Sequence, residues 1–212
     1  MRGRNRARGW VVAALLPLAS WLAGCRSGAG SSGGTAALVG GPTLWLMLPE
    51  EQKEARRLGS TREAVAYIEQ FWRRRDPDLE APGNEFARTF YERVEAADGL
   101  YTEGGTRGSM TDRGRVLILF GPPPTLRYSQ ERVPTWEPGR PGAPPAVQSR
   151  HLVLESWVYP AADLAPELVE LLDREGTVPE EIVFVFAAEP RRTYLVEGEK
   201  YLEMAARAAV RR

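Results

Sequence analysis

Few side chains in this sequence could act as nucleophile, acid, base or metal ligand at neutral pH. His151 is the single histidine and Cys25 the single cysteine. Zinc and other soft metals need clustered His and Cys ligands. A Ser-His-Asp triad needs a histidine and a nucleophile on an elbow of the Gly-x-Ser-x-Gly kind, which does not occur. There is no Walker A loop and no dinucleotide fingerprint. Gly104-Gly105-Thr106-Arg107-Gly108 is glycine-rich but has no lysine, and it reads as a turn. No cofactor and no metal are expected. What remains is carboxylate and guanidinium chemistry, densest at Thr111-Asp112-Arg113-Gly114. One reading makes Asp112, flanked by Arg113 and Arg115, an acid or a ligand. The other is a turn in which Asp112 caps backbone amides, Gly114 takes a positive φ and the chain enters a strand. Glu155 is a second candidate carboxylate, because a pair of acids hydrolyses glycosidic bonds without histidine. Arg73-Arg74-Arg75-Asp76 could hold an anion, or could be a solvated helix end whose cations complement the dipole. Trp136, set among prolines, is a candidate contact point for a partner.

The elements that must position these residues follow from period and punctuation. Pro49 to Leu58 predicts a short helix, with Pro49 in its first turn and Gly59 after it. Ser60 to Glu63 fits a capping box. The helix behind it carries Val65, Ile68, Phe71 and Trp72 at helical spacing and ends at Asp76-Pro77. Asn84 caps a third helix with Phe86, Phe90, Val94 and Ala97 along one face, closing at Asp98-Gly99. Val116 to Phe120 is a continuous apolar run bounded by Gly114 and Gly121, which predicts a strand buried on both faces. Glu155–Tyr159, Ile182–Phe186 and Thr193–Val196 are further strands, the last two a hairpin across Ala187–Arg192. Asp163 to Glu175 predicts a helix with the stripe Leu164, Leu168, Leu171 and Leu172, ended by Gly176. Glu199 to Arg212 predicts a final amphipathic helix. Residues 121–150 hold eight prolines and read as an extended or polyproline-like surface excursion. Helices first and strands later give an α+β fold, N-terminal helices packed on a small, mainly antiparallel sheet.

The ends bound where the chain works. Arg2, Arg4, Arg6 and Arg8 precede the apolar run Trp10 to Ala23. Charged start and short apolar stretch are the layout of an export signal, and the run is shorter than the ~20 residues a spanning helix needs. It closes on Leu22-Ala23-Gly24-Cys25, which resembles the lipobox of bacterial lipoproteins. That resemblance implies cleavage before Cys25 and a lipid anchor on its sulfur, hence a place in the cell envelope. The absence of aspartate at Arg26 leans towards the outer membrane if the source is Gram-negative. Residues 1–24 are then a signal peptide, 25–40 a lipid anchor with a Gly/Ser tether, and 41–212 a single domain. Removing residues 1–24, with four arginines and no acid, takes the basic count from 28 to 24 against 28 acids, a net of −4. A net acidic chain does not carry the basic footprint of nucleic-acid binding.

Several pieces in order form one pattern: Phe71-Trp72-Arg73-Arg74-Arg75-Asp76-Pro77, Asn84-Glu85-Phe86 with Phe90-Tyr91-Glu92-Arg93-Val94, Gly108 to Val116, and Phe120-Gly121-Pro122-Pro123. Together they resemble the GWxTD domain family of bacterial envelope and other multidomain proteins, over roughly Leu44 to Val196. Thr111, Asp112 and Gly114 match the namesake motif, while Ser109 stands where the family's tryptophan falls. The resemblance implies a fold but no established activity. Two functions are expected from different classes. The first is a non-enzymatic module that binds an envelope protein partner, with Trp136 and Arg73 to Arg75 as possible contacts. The alternative is a carboxylate hydrolase of an envelope polymer built on Asp112 and Glu155.

Overall fold

The computed structural model describes residues 39–137 and 146–210. The expected signal peptide, Cys25 and the expected tether up to residue 38 lie outside the described residues, whereas Val39, placed in that tether, is buried in the core. Among those described, six α-helices and four strands occur in the order α1 (Pro49–Ala55), α2 (Thr61–Arg73), α3 (Glu85–Tyr101), α4 (Asp112–Phe120), β1 (Thr125–Glu137), β2 (Ala146–Pro160), α5 (Pro166–Arg174), β3 (Glu181–Glu189), β4 (Arg192–Glu197) and α6 (Glu199–Ala208). The strands form one antiparallel sheet in the order β1-β2-β3-β4. The fold is α+β, as expected.

The helix starts follow local chemistry. Ser60 Oγ accepts from the Glu63 amide at 3.2 Å, and the Glu63 carboxylate accepts from the Ser60 and Gly59 amides. Asn84 Oδ1 accepts from the Ala87 amide at 2.8 Å. Such caps satisfy amides that have no partner inside the helix, each contributing about 1 kcal/mol. The buried stripe of α2 differs from the expected one. Ala64, Tyr67 and Phe71 are buried, while Val65 is 42% exposed. Helix α3 also does not close at Asp98-Gly99 but runs on to Tyr101. Glycine costs a helix interior only about 1 kcal/mol, and tertiary contacts of Asp98 described below outweigh that.

Two larger expectations are corrected. The apolar run Val116 to Phe120 is not a strand; it is the body of α4. A short apolar run cannot be assigned by periodicity when its helix is buried nearly all round. Val116, Leu117 and Ile118 are all in the core. The 121–150 stretch is extended in β1 and exposed from Thr125 to Arg132, but it is paired strand and not polyproline-like. Its described parts form β1 and the start of β2, an antiparallel arm whose register runs from Thr125 opposite Val158 to Glu137 opposite Ala146. Residues 138–145 lie outside the described residues. Pro134 sits within β1 because β1 is an edge strand, where a missing N–H need not break the ladder.

One core joins helices and sheet. Trp157 and Tyr159 project from β2, and Ile182, Phe184 and Phe186 from β3, all buried. Tyr101 meets Trp157 at 5.5 Å between ring centroids, and Phe120 meets Phe184 at 4.7 Å. The helical end is pinned differently. Arg75 is buried, with its guanidinium 3.8 Å from the Phe71 ring. It donates to both Glu51 oxygens, at 2.7 and 3.1 Å, and to the Leu46 carbonyl at 2.8 Å. Glu51 also accepts from the Leu48 amide and from Arg74. Burial alone would raise the Glu51 pKa, but the hydrogen bonds from Arg75, Leu48 and Arg74 outweigh it and hold the carboxyl below its ordinary 4.5. Bidentate geometry offsets the desolvation of both charges.

Removing one partner leaves the other charged and buried. Arg75→Leu is expected to lower unfolding free energy by about 3–5 kcal/mol in denaturant titrations. The half-exposed Arg74→Leu should cost under about 1 kcal/mol. A carboxyl with a depressed folded-state pKa stabilises above its unfolded value and loses that stabilisation as pH falls through the folded one. Stability should therefore decline as pH drops below 4.5, and Glu51→Gln should remove that part of the pH dependence.

Candidate functional site

The namesake residues sit at the junction of helices and sheet. After α3 the chain reverses in a tight turn, in which Glu103 and Thr106 exchange both backbone hydrogen bonds, at 3.1 and 2.8 Å. Gly104 and Gly105 take positive φ of 57° and 83° there, a geometry costly for any residue with a Cβ. The glycine-rich stretch is therefore a turn, as read. A single 3-10 turn, Gly108–Met110, leads into α4.

Residues from 108 to 115 tie this junction together and to α3, β2, β4 and α6. A Cβ on Gly108 would overlap the Ala97 carbonyl of α3, and one on Gly114 would overlap the Gly108 carbonyl. Both glycines are there because backbone touches backbone. The Ser109 amide donates to Asp98 Oδ1 at 2.8 Å, and Arg107 pairs with Asp98 Oδ2. Burial would raise the Asp98 pKa, but these bonds outweigh it and hold the carboxyl below its ordinary value. Ser109 is fully buried, and its carbonyl accepts from the Trp45 indole at 2.9 Å. Thr111 is the N-cap of α4: its Oγ1 accepts from the Gly114 amide at 3.1 Å and donates to the Gly108 carbonyl at 2.7 Å.

Asp112 acts across the molecule. Its Oδ2 accepts from the Leu195 amide of β4 at 2.8 Å, and Glu103 Oε1 accepts from the Thr193 amide at 2.9 Å. The two carboxylates thus occupy outward amides of β4, the outermost strand on that side. The turn reading of this tetrapeptide does not hold, since the chain enters a helix and not a strand. Thr111 rather than Asp112 caps the local amides, and Gly114 is helical with no positive φ. Arg113 lies between Glu103 (3.3 Å) and Glu155 (3.5 Å), over the Tyr101 ring. Arg115 pairs with Glu199 at 2.6 Å and lies over Trp45.

The geometry limits the chemistry. Glu155 Oε2 meets Arg113 and its Oε1 accepts the Trp157 indole at 2.7 Å. Asp112, Glu103 and Glu155 therefore each hold a donor from the fold. Among the described residues no three His, Cys, Asp or Glu side chains are grouped as metal ligands. A separate groove of about 560 Å³ runs between α3, α5, α6 and the end of α4, with Phe86, Phe90, Ile118, Phe120 and Leu164 in its walls. Of the two cations in its wall, Arg75 is paired with Glu51 and Arg93 donates to the Ile118 and Leu119 carbonyls at the end of α4.

The remaining predicted site residues lie elsewhere. Arg75 is taken up by Glu51 within the core, Arg74 shares that carboxylate, and Arg73 is exposed at the end of α2. His151 is exposed on β2, opposite Arg132. The Trp136 backbone lies in β1 opposite Val147, and its side chain lies outside the described residues. Sequence reasoning missed Trp45, Asp98, Glu103 and Gly108. A glycine after an arginine carries no mark of the carbonyl it must admit, and an acid 90 positions from its amide carries none of its partner.

Gly108→Ala and Gly114→Ala are each expected to lower stability by about 2–4 kcal/mol, since backbone cannot yield as a flexible side chain would. Asp112→Ala should cost about 1–3 kcal/mol by stranding the Leu195 amide. It should also speed hydrogen exchange there, while Asp112→Asn, which keeps an acceptor, changes exchange less. Unchanged exchange at Leu195 in the alanine variant would contradict the sealing role.

No curated protein and no solved structure matches the chain. A family model does, over residues 41–139. The matched stretch takes in α1 to α4, the 108–114 junction and β1, and stops before β2. The model that matches residues 41–139 is that of the GWxTD domain.

Proposed function

We propose that this chain is a lipid-anchored envelope protein whose folded domain is a protein-interaction module rather than an enzyme. The observation that carries the reading is the arm of β1 and β2. Every residue from Thr125 to Arg132 is exposed, and so are Ser149 to His151 opposite. Leu126 and Tyr128 stand opposite Trp157 and Glu155, hence on the sheet face that carries the core, yet Tyr128 is 67% exposed. Val153, exposed too, shares that face. Apolar side chains placed beside a core and left uncovered mark contact surface more often than chance.

The polar groups support the same reading. An acid-base pair needs carboxylates free to exchange protons with a substrate, and Asp112 and Glu155 are each held by donors of the fold. The anchor rests on the export signal and on Leu22-Ala23-Gly24-Cys25. Two or more acyl chains hold a protein at a bilayer where one does not, and the Gly/Ser tether lets the domain stand off from it. By analogy with envelope sorting, Arg26 after the cysteine favours the outer membrane in a Gram-negative cell. Among the described residues no helix is long and apolar enough to cross a membrane.

Two outcomes follow. Cys25→Ser should move the chain from the membrane to the soluble fraction on cell fractionation. In a crosslinking pull-down from membranes, the chain should recover a defined protein that Leu126→Glu with Tyr128→Glu loses, at unchanged thermal stability. Equal recovery with that double variant would count against the arm, and turnover of an envelope polymer abolished by Asp112→Asn would favour the hydrolase.

A further inference from the structure

The sheet has two edges, and the fold treats them differently. β4 is six residues long, and its pairing with β3 is broken by a bulge between Val185 and Phe186. Its amides at Thr193 and Leu195 are occupied by Glu103 and Asp112. Shortness, a bulge and covering groups are how proteins keep an edge from pairing. β1 has none of these three, although it carries Pro134 and charged side chains. It runs thirteen residues in unbroken register, where an ordinary strand has about five or six. No described residue pairs with its outer side. Pro134 keeps its place opposite Ser149, which a proline can do only with its nitrogen on the open side. The even-numbered residues from Leu126 to Arg132 therefore aim their N–H and C=O groups outward.

The charges on this edge are self-complementary. Arg127 and Glu131 lie two places on either side of Ser129, on the same face of the strand. An antiparallel copy turned about a two-fold axis at Ser129 sets Arg127 opposite the partner's Glu131, and Glu131 opposite the partner's Arg127. On the other face Tyr128 comes opposite the partner's Gln130 and diagonal to the partner's Tyr128, within reach of an aromatic contact. Slipping the register by two residues in either direction loses both ion pairs, so one alignment is preferred. Arg127 is free to turn, since its present bonds to Glu181 are exposed and 3.3 to 3.5 Å long.

We propose that β1 pairs edge to edge with β1 of a second copy of this chain, joining two four-stranded sheets into one of eight strands. The inference rests on the interaction-module reading and names that module's partner as the chain itself. Such an isologous contact closes on itself and does not propagate. The anchored chains share one surface, which raises the encounter rate of a weak edge contact.

Disulfide trapping tests it in the full-length chain. Ser129→Cys places one thiol at the two-fold axis, and Cys25 is the only other cysteine. On oxidation in intact cells a covalent dimer of doubled mass is expected. It should be absent from the unsubstituted chain and from Arg62→Cys, an exposed site on α2. Adding Arg127→Glu or Glu131→Arg to Ser129→Cys should suppress the dimer, and adding both should restore it. A merely exposed cysteine would not follow the charges in that order. Circular dichroism identifies any variant that fails to fold, and the restoring double variant answers for the single ones. The proposal is overturned if Ser129→Cys traps no more dimer than Arg62→Cys, or if the double reversal fails to restore trapping. Trapping of a different protein instead also overturns self-pairing, while leaving the interaction-module reading in place.

Discussion

Two backbone contacts set the frame of this domain: Gly108 against the Ala97 carbonyl, and Gly114 against the carbonyl of Gly108. Neither leaves room for a Cβ. The first brings the chain hard against α3 as it leaves the Gly104-Gly105 turn, and the second seats the first turn of α4 on the same spot. With the start of α4 fixed in this way, Asp112, Arg113 and Arg115 leave it towards β4, β2 and the start of α6. One helical turn thereby connects to two strands of the sheet and to the C-terminal helix. The namesake motif is best understood as a joint whose polar groups are consumed by the fold.

That joint explains the asymmetry of the sheet. An antiparallel sheet of four strands has two open edges, each a row of unpaired backbone groups. On the β4 side the helices come close enough for Glu103 and Asp112 to occupy the Thr193 and Leu195 amides. On the β1 side the strand extends past the helices, and its residues up to Arg132 are exposed. Closing one edge with Glu103 and Asp112 leaves the other as the edge open to strand addition. The buried Arg75–Glu51 pair plays a parallel part at the helical end. It holds α1, the end of α2 and the Leu46 carbonyl in one arrangement, at a desolvation cost that an apolar contact would not carry.

Ser109 bears on the same joint. It is fully buried, and the indole of Trp45 donates to its carbonyl while Arg115 lies over the Trp45 ring. An aromatic group therefore meets this backbone from the Gly41–Trp45 turn. The site keeps an indole against it although the residue at position 109 is small.

How much of this the sequence carried depends on the range of the forces involved. Helix starts were legible because Ser60 with Glu63, and Asn84, act within three or four residues. So were strand segments within β2, β3 and β4, the Gly104-Gly105 turn and the α+β class. The apolar run Val116 to Phe120 was misassigned because a helix buried nearly all round loses its period, and only the Thr111 cap and the packing of Gly114 decide for helix. The prolines of 121–150 concealed a hairpin because Pro134 is harmless at an edge, and which strand is the edge is a property of the whole sheet. Arg75 looked like a surface cation until Glu51, 24 positions earlier, was brought to it. Sequence alone determined what most short segments prefer, and with it the order of the elements apart from α4 and β1. Tertiary structure decided which carboxylates were consumed, which glycines admit a carbonyl and which edge stays open, because each rests on groups that only folding brings within bonding distance.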